Sequence, residues 1–278
     1  MKKTIWNCIG TNFSDGSPGN NGGSSTRWKE SVHIKWNFNY ESDTSFYIDG
    51  EMFKGVDDHP EKRKFGWLLE SKGIFRYNYE QTKKRYKALF ETYEAIFTHD
   101  KELLLLDDRF RFTLSYGFYV KDIAIHPKSK LVSAINSGKT MNDGHRWRNQ
   151  FIEQHRDRFD LYGIKYRRIK LKEQGLNDYM FSVCIENANY PSYFTEKILD
   201  CFATGTIPIY KGSPDIADYF NPEGIIFIDD PNFSFDMLSP ELYYSKMDAI
   251  KDNFERILPS HYNSSEDYIY AMYKDEFG

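Results

Sequence analysis

The run "FSVCIENANYPSYFTEKILDCFATGTIPIYKGSP", residues 181–214, decides how the chain is read. Phe181 to Ile185 is an unbroken apolar segment of strand length, and it ends on the polar pair Glu186-Asn187. Thr195 is a good N-cap, and Ile198, Leu199, Phe202 and Ala203 behind it share one face of a short helix. "GTIPIYKGSP" then reads as a second strand and turn. Lys197 is the anomaly. The first turn of a helix carries roughly half a positive charge, so it favours an acid such as Glu196. A lysine there costs something like 0.3–1 kcal/mol unless an anion is bound.

Working outward, the same alternation continues on both sides. "LVSAI" (131–135) is a strand, "GHRWRNQFIEQHRDR" (144–158) a helix, and "FDLYGI" and "YMFSVCIEN" further strands. Downstream, "GIIFID" is a strand. Ser239-Pro240-Glu241 opens a helix reaching about Ile257, and a last helix covers about Ser265 to Lys274. Upstream, "KDIAIHPKSK" (121–130) reads as a connection, since His126-Pro127 breaks regular structure. Before it "TIWNCIG", "TSFYIDG" and "KFGWLLESKG" are apolar strands, the last ending in Glu70. Residues 81–94 have helical spacing, and "AIFTHD" leads into a Leu-rich helix. Strands that are apolar throughout and alternate with helices predict an α/β protein with two parallel sheets covered on both faces. The expected domains are 1–125 and 126–278, the last helix being free to pack back on the first. The Gly, Ser and Asn-rich segment 11–31 has no apolar period; its part 14–25 reads either as a lid or as plain disorder.

Composition narrows the function. The 278 residues carry a net charge of −4, with Lys and Arg scattered among acids, which argues against a nucleic-acid partner. Aromatics make up 17%, which suits stacking on bases or sugar rings, although much of that content must be core. Cys8, Cys184 and Cys201 are widely spaced, without a CxxC or metal-ligand pattern, so a reducing, cytoplasmic location is expected. The N-terminus lacks the h-region of a signal peptide, and no run approaches the ~18 apolar residues of a transmembrane segment. The sequons "NFS" (12–14) and "NSS" (263–265) carry little weight without a secretory route.

Ligands of doubly wound folds bind beyond the carboxyl ends of the strands, so the candidates are strand-end and helix-start residues. Glu186, Asn187, Tyr193, Glu196 and Lys197 converge there, beside a helix N-terminus that attracts anions. Arg148, one turn inside its helix, is placed to grip phosphate oxygens bidentately. Each has a plainer alternative. Glu196 is also an ordinary first-turn acid, Lys197 a lysine reaching solvent, Arg148 one of several surface arginines, Asn187 a turn cap and Glu70 an exposed glutamate.

"FSVCIENANYPSYFTEKILDCFATGTIPIYKGSPDIADYFNP" resembles the donor-binding signature of the α-1,3-fucosyltransferases of glycosyltransferase family 10. "LVSAINSGKTMNDGHRWRNQF" is similar to that family's strand and R-N-x-F helix. Together they cover roughly 130–230. The resemblance implies a GT-B arrangement of two Rossmann-like halves with a cleft between them. It also implies an inverting transfer of fucose from GDP-fucose to a glycan hydroxyl. Arg148 and Lys197 would neutralise the diphosphate, Glu196 would hold ribose or sugar, and Glu186, Asn187 and Tyr193 would line the donor pocket. Glu70 would be the general base. The alternatives are another nucleotide-sugar donor on the same fold, or a non-catalytic carbohydrate- or nucleotide-binding module. No cofactor is expected, and no metal, because the chain has no Asp-x-Asp triplet. Lys211 departs from the family, whose members often carry a bulky apolar residue there.

Overall fold

The computed structural model describes residues 3–10, 31–38, 42–54 and 62–277. The segment 14–25, read as lid or disorder, and the sequon at 12–14 lie outside the described residues. Two compact units divide the chain: Met1–Gly117 with Ser260–Gly278, and Phe118–Pro259. No helix among the described residues is long and apolar enough to cross a membrane.

The first unit is built on strands β1 (Thr4–Ile9), β2 (Ile34–Asn37), β3 (Thr44–Ile48), β4 (Arg63–Trp67), β5 (Ala95–Thr98) and β6 (Phe110–Phe112), with helices α1 (Arg76–Leu89) and α2 (Lys101–Leu104). All strand pairs are parallel, in the order β2-β1-β3-β4-β5-β6. β3 and β5 are buried along their whole length, which is why they read as continuous apolar runs. Much of the aromatic content is spent here. Trp6, Trp36, Phe46, Phe65, Trp67 and Phe97 form one cluster, against which Tyr270, Tyr273 and Phe277 of the chain's end pack.

The second unit contains β7 (Lys130–Ile135), α3 (Asp143–Gln154), β8 (Asp160–Tyr162), β9 (Tyr179–Ile185), α4 (Glu196–Ala203), β10 (Ile207–Lys211), β11 (Ile226–Phe227), α5 (Pro240–Ser245) and α6 (Met247–Ile257). It too is all parallel, in the order β11-β10-β9-β7-β8. In both units the first strand lies between the second and the third. The chain therefore leaves it to opposite sides, and a crevice opens beyond the carboxyl ends of strands one and three. In the second unit those strands are β7 and β9.

Several expectations are corrected. The break falls between Gly117 and Phe118, not at 125/126, because residues 118–125 are tied to α4. Asp200 Oδ1 accepts from Tyr119 N at 2.5 Å and Val120 N at 3.1 Å, and Ala124 N donates to Ala203 O at 3.1 Å. Residues 260–278 belong to the first unit, the packing-back left open for the last helix. There α7 (Ser265–Tyr273) lies along Gly117, where a Cβ would come within 2.0 Å of Asn263 O. The single helix expected from Ser239 to Ile257 is two, α5 and α6, divided at Lys246. Each is pinned to a different loop: Tyr243 donates to Gly205 O at 2.8 Å, whereas the Asn253 side chain bonds both N and O of Asn221. Strands β2 and β6 were not expected at all.

Candidate functional site

Strand β7 runs out into Asn136-Ser137 and β9 into Glu186-Asn187, at the crevice of the second unit. Helix α3 is drawn onto the end of β9 by its cap. Asn142 Oδ1 accepts from His145 N at 2.9 Å while its Nδ2 donates to Asn187 O at 2.9 Å. Gly144 permits the approach, since a Cβ there would meet Asn187 O at 2.1 Å. One turn further on, Arg148 passes beneath the strand ends and is only 6% exposed. It is not one of the surface arginines of this helix region. Arg146, Arg156 and Arg158 pair outside with Asp143, Glu153 and Asp236. Arg148 makes two long contacts, Nη1 to Ile185 O and Nη2 to Ser137 Oγ, both at 3.4 Å. Its Nε has no hydrogen-bond partner among the described residues. Burial lowers its pKa, with Glu186 and Glu196 pulling the other way. A buried guanidinium this poorly paired is unstable unless something anionic completes it.

Lys197 has a counter-ion within the protein that the sequence did not name. Its Nζ lies 2.8 Å from Glu186 Oε2 and 2.8 Å from Thr195 Oγ1. Glu186 is wholly buried beneath it and also accepts from Thr195 N and Thr195 Oγ1, each at 2.9 Å. The strand-end carboxylate, rather than an anion alone, holds a cation at the start of α4. Burial lowers the Lys197 pKa, but Glu186 and Glu196 outweigh it and the net shift is upward. Gly212 of the G-S-P turn closes over Glu186: a Cβ there would stand 2.8 Å from Glu186 Cγ and 2.3 Å from Tyr210 Oη. The Glu186 side chain is thus committed to Lys197 and Thr195.

Two residues not singled out from the sequence complete this charge chain. Lys172 Nζ lies 2.6 Å from Asp200 Oδ2 and 3.3 Å from Glu196 Oε1, and 4.7 Å from the centre of the Tyr119 ring. Burial raises the Glu196 carboxyl, but Lys197 and Lys172 more than offset this and hold it at about 2, against an ordinary 4.5. A depressed carboxylate contributes stability above the unfolded pKa and loses it as pH falls through the folded one. Glu196→Gln should therefore remove part of the stability loss between pH 4.5 and about 2, read from urea midpoints across that range. Equal acid sensitivity of variant and parent would exclude this coupling.

The remaining predicted residues occupy the loop between β9 and α4. Asn187 is nearly buried, with Oδ1 unpartnered among the described residues. Tyr193 is buried at 1% exposure. The loop is shaped by Asp215, which accepts from Ser192 N at 2.7 Å and holds Ser192 at a φ of 64°. Lys211 pairs with Asp229 at 2.6 Å and lies over the Trp147 ring at 4.9 Å. Trp147 from α3 so supplies bulk beside a position where the chain itself carries none.

In the first unit Glu70 follows β4 through Leu68-Leu69, near the carboxyl edge of that sheet. Its backbone is fixed by Asp49, buried at the end of β3, whose Oδ1 accepts from Leu69 N at 3.0 Å and Glu70 N at 3.3 Å. Tyr79 donates to Glu70 O at 2.7 Å, and Tyr116 reaches Glu70 Oε2 at 3.4 Å. Glu70 is half-buried in a fixed loop, not a freely exposed glutamate. Asp49 was not predicted, although an aspartate followed by glycine at a strand end was the available signal.

Residues 125–256, which contain the whole β7, α3, β9, α4 and β10 arrangement, match glycosyltransferase family 10 (fucosyltransferase), C-terminal part. The matched span is a little under half of the chain. The chain is 44% identical over 62 residues to alpha-(1,3)-fucosyltransferase FucT of Helicobacter pylori, covering 22% of this chain and 13% of that protein. It is 37% identical over 79 residues to alpha-(1,3)-fucosyltransferase B of Drosophila melanogaster, covering 28% of this chain and 16% of that one. The chain thus matches less than a fifth of either relative's length. A crystal structure of an alpha1,3-fucosyltransferase superposes with a TM-score of 0.50 at 19% identity, covering 92% of this chain and 83% of that one. This likeness extends the shared fold beyond the matched residues to both parallel-sheet units, those of the GT-B class.

Proposed function

We propose that the second unit grips the diphosphate of a nucleotide sugar, GDP-fucose, and that the whole protein transfers fucose to a glycan hydroxyl with inversion. The carrying observation is Arg148, a buried guanidinium without an ion pair among the described residues, set at the switch point between the starts of α3 and α4. The second unit is the donor domain in this reading and the first unit the acceptor domain. Glu196 accepts from ribose or sugar hydroxyls, and Asn187 and Tyr193 line the donor pocket. Lys197 contributes to the diphosphate while sharing its charge with Glu186. The acceptor oxygen forms the new bond to the anomeric carbon on the face opposite the departing β-phosphate, and its proton passes to Glu70. The charge that develops on GDP is met by Arg148 and two helix N-termini.

Two measurements test this. A melting panel of nucleotides should show a rise with GDP and GDP-fucose, because a ligand that binds only the folded state raises the midpoint by mass action. A response to UDP in place of GDP would defeat the donor assignment. Glu70→Gln should lower turnover by about 10²–10⁴-fold, the usual share of a general base, with GDP affinity unchanged. An unaltered rate would remove Glu70 from the chemistry.

A further inference from the structure

The charges of the site balance before any ligand binds. Arg148, Lys197 and Lys172 are matched by Glu186, Glu196 and Asp200, and the last five are linked to one another by ion pairs. A diphosphate adds at least two negative charges to this balanced set, in a place where water screens little. One titratable group there is held neutral. His145 sits in the first turn of α3, three residues before Arg148 and so on the same face. It is 4% exposed, and its Nδ1 has no hydrogen-bond partner among the described residues. The groups that act on it are Arg148 of its own helix, Lys139 of the loop after β7, and Lys197 of α4 with Glu186 beneath it. Burial first, and then these three cations, lower its pKa to about 4. The start of a helix likewise disfavours a positive imidazole. An anion bound among these cations adds an attraction to the imidazolium that offsets their repulsion.

Resting on the diphosphate reading above, we propose that His145 is a third ligand of the diphosphate, taking up a proton from solvent as the anion binds and donating to it from Nδ1. The imidazolium then offers two donors where the free protein has one. Binding through this group is favoured at low pH and lost as pH rises through the histidine pKa of the complex. GDP's own phosphate titrates in the opposite sense, so the comparison that counts is between the parent protein and H145Q.

Calorimetric titration with GDP at pH 6.5, in two buffers of different ionisation heat, should show the parent taking up about one proton more per GDP than H145Q. The affinity ratio of the two proteins should be greatest at low pH. Equal uptake by both overturns the proposal. If H145Q does not fold, the histidine C2–H resonances of the parent protein are followed with and without inorganic pyrophosphate. One titration midpoint should rise by more than a pH unit, and no such rise overturns the proposal equally. Uptake with pyrophosphate but no binding of GDP would overturn the nucleotide reading and leave His145 in place. GDP binding without differential uptake would do the reverse, and failure of both ligands to bind would overturn both.

Discussion

Arg148→Met leaves the free protein as stable as its parent, or more so, and abolishes its response to GDP. The two effects separate because Arg148 has no ion pair among the described residues and only two long contacts, so an apolar side chain of similar volume removes a buried charge that no carboxylate holds directly. In the complex proposed above, the same guanidinium is the principal partner of the diphosphate. Losing a buried, charge-assisted contact of that kind costs about 2–5 kcal/mol, upward of ~30-fold in Kd. Melting curves with and without GDP read both halves. A structural arginine would behave in the opposite way, with the free protein melting earlier and GDP still raising what remained. Unchanged GDP affinity would remove Arg148 from the ligand.

Glu186→Gln has the second large effect, and it falls on stability. The substitution leaves Lys197 mostly buried at the positive end of α4 with its closest counter-ion gone. Breaking one side of a buried pair typically costs about 3–5 kcal/mol. For a unit the size of Phe118–Pro259 this is on the order of 10 °C in melting midpoint. Removing both charges, as Glu186→Gln with Lys197→Met, should recover most of the loss. A double variant no better than the single one would mean that the destabilisation comes from Thr195, whose amide and hydroxyl Glu186 also satisfies, and not from the stranded lysine.

The contrast between Arg148 and Lys197 shows how far the sequence reaches. Strands β3, β5 and β9 were legible because they are buried on both faces and written as apolar runs. The resemblance joined α3 to α4, and the topology accounts for it: β7 and β9 are neighbours, so the helices that follow them start together. Local electrostatics marked Lys197 as anomalous. It could not name the counter-ion, which lies across a loop on the preceding strand. Lys172 was hidden for a similar reason, in the polar stretch 165–174 without periodicity, its partners Glu196 and Asp200 being far downstream. His145 carries no local signal at all, since its isolation is visible only once the surrounding cations are in place. β2 was illegible because its start is fixed by a residue near the other end of the chain. Asp267 accepts from Ser31 Oγ at 2.5 Å, His33 N at 2.9 Å and Val32 N at 3.0 Å.

That last contact bears on how the molecule is made. The ribosome delivers residues 3–117 first, yet the edge strand of their sheet is clamped by Asp267, and the Trp6 cluster is covered by Tyr270 and Phe277. The unit that is synthesised first therefore cannot finish first. The segment 118–259 has its own sheet and core and can close as soon as it emerges, while the older half waits with aromatic surface open for residues 260–277. During synthesis, the aromatic surface of the first unit stays uncovered until residues 260–277 arrive.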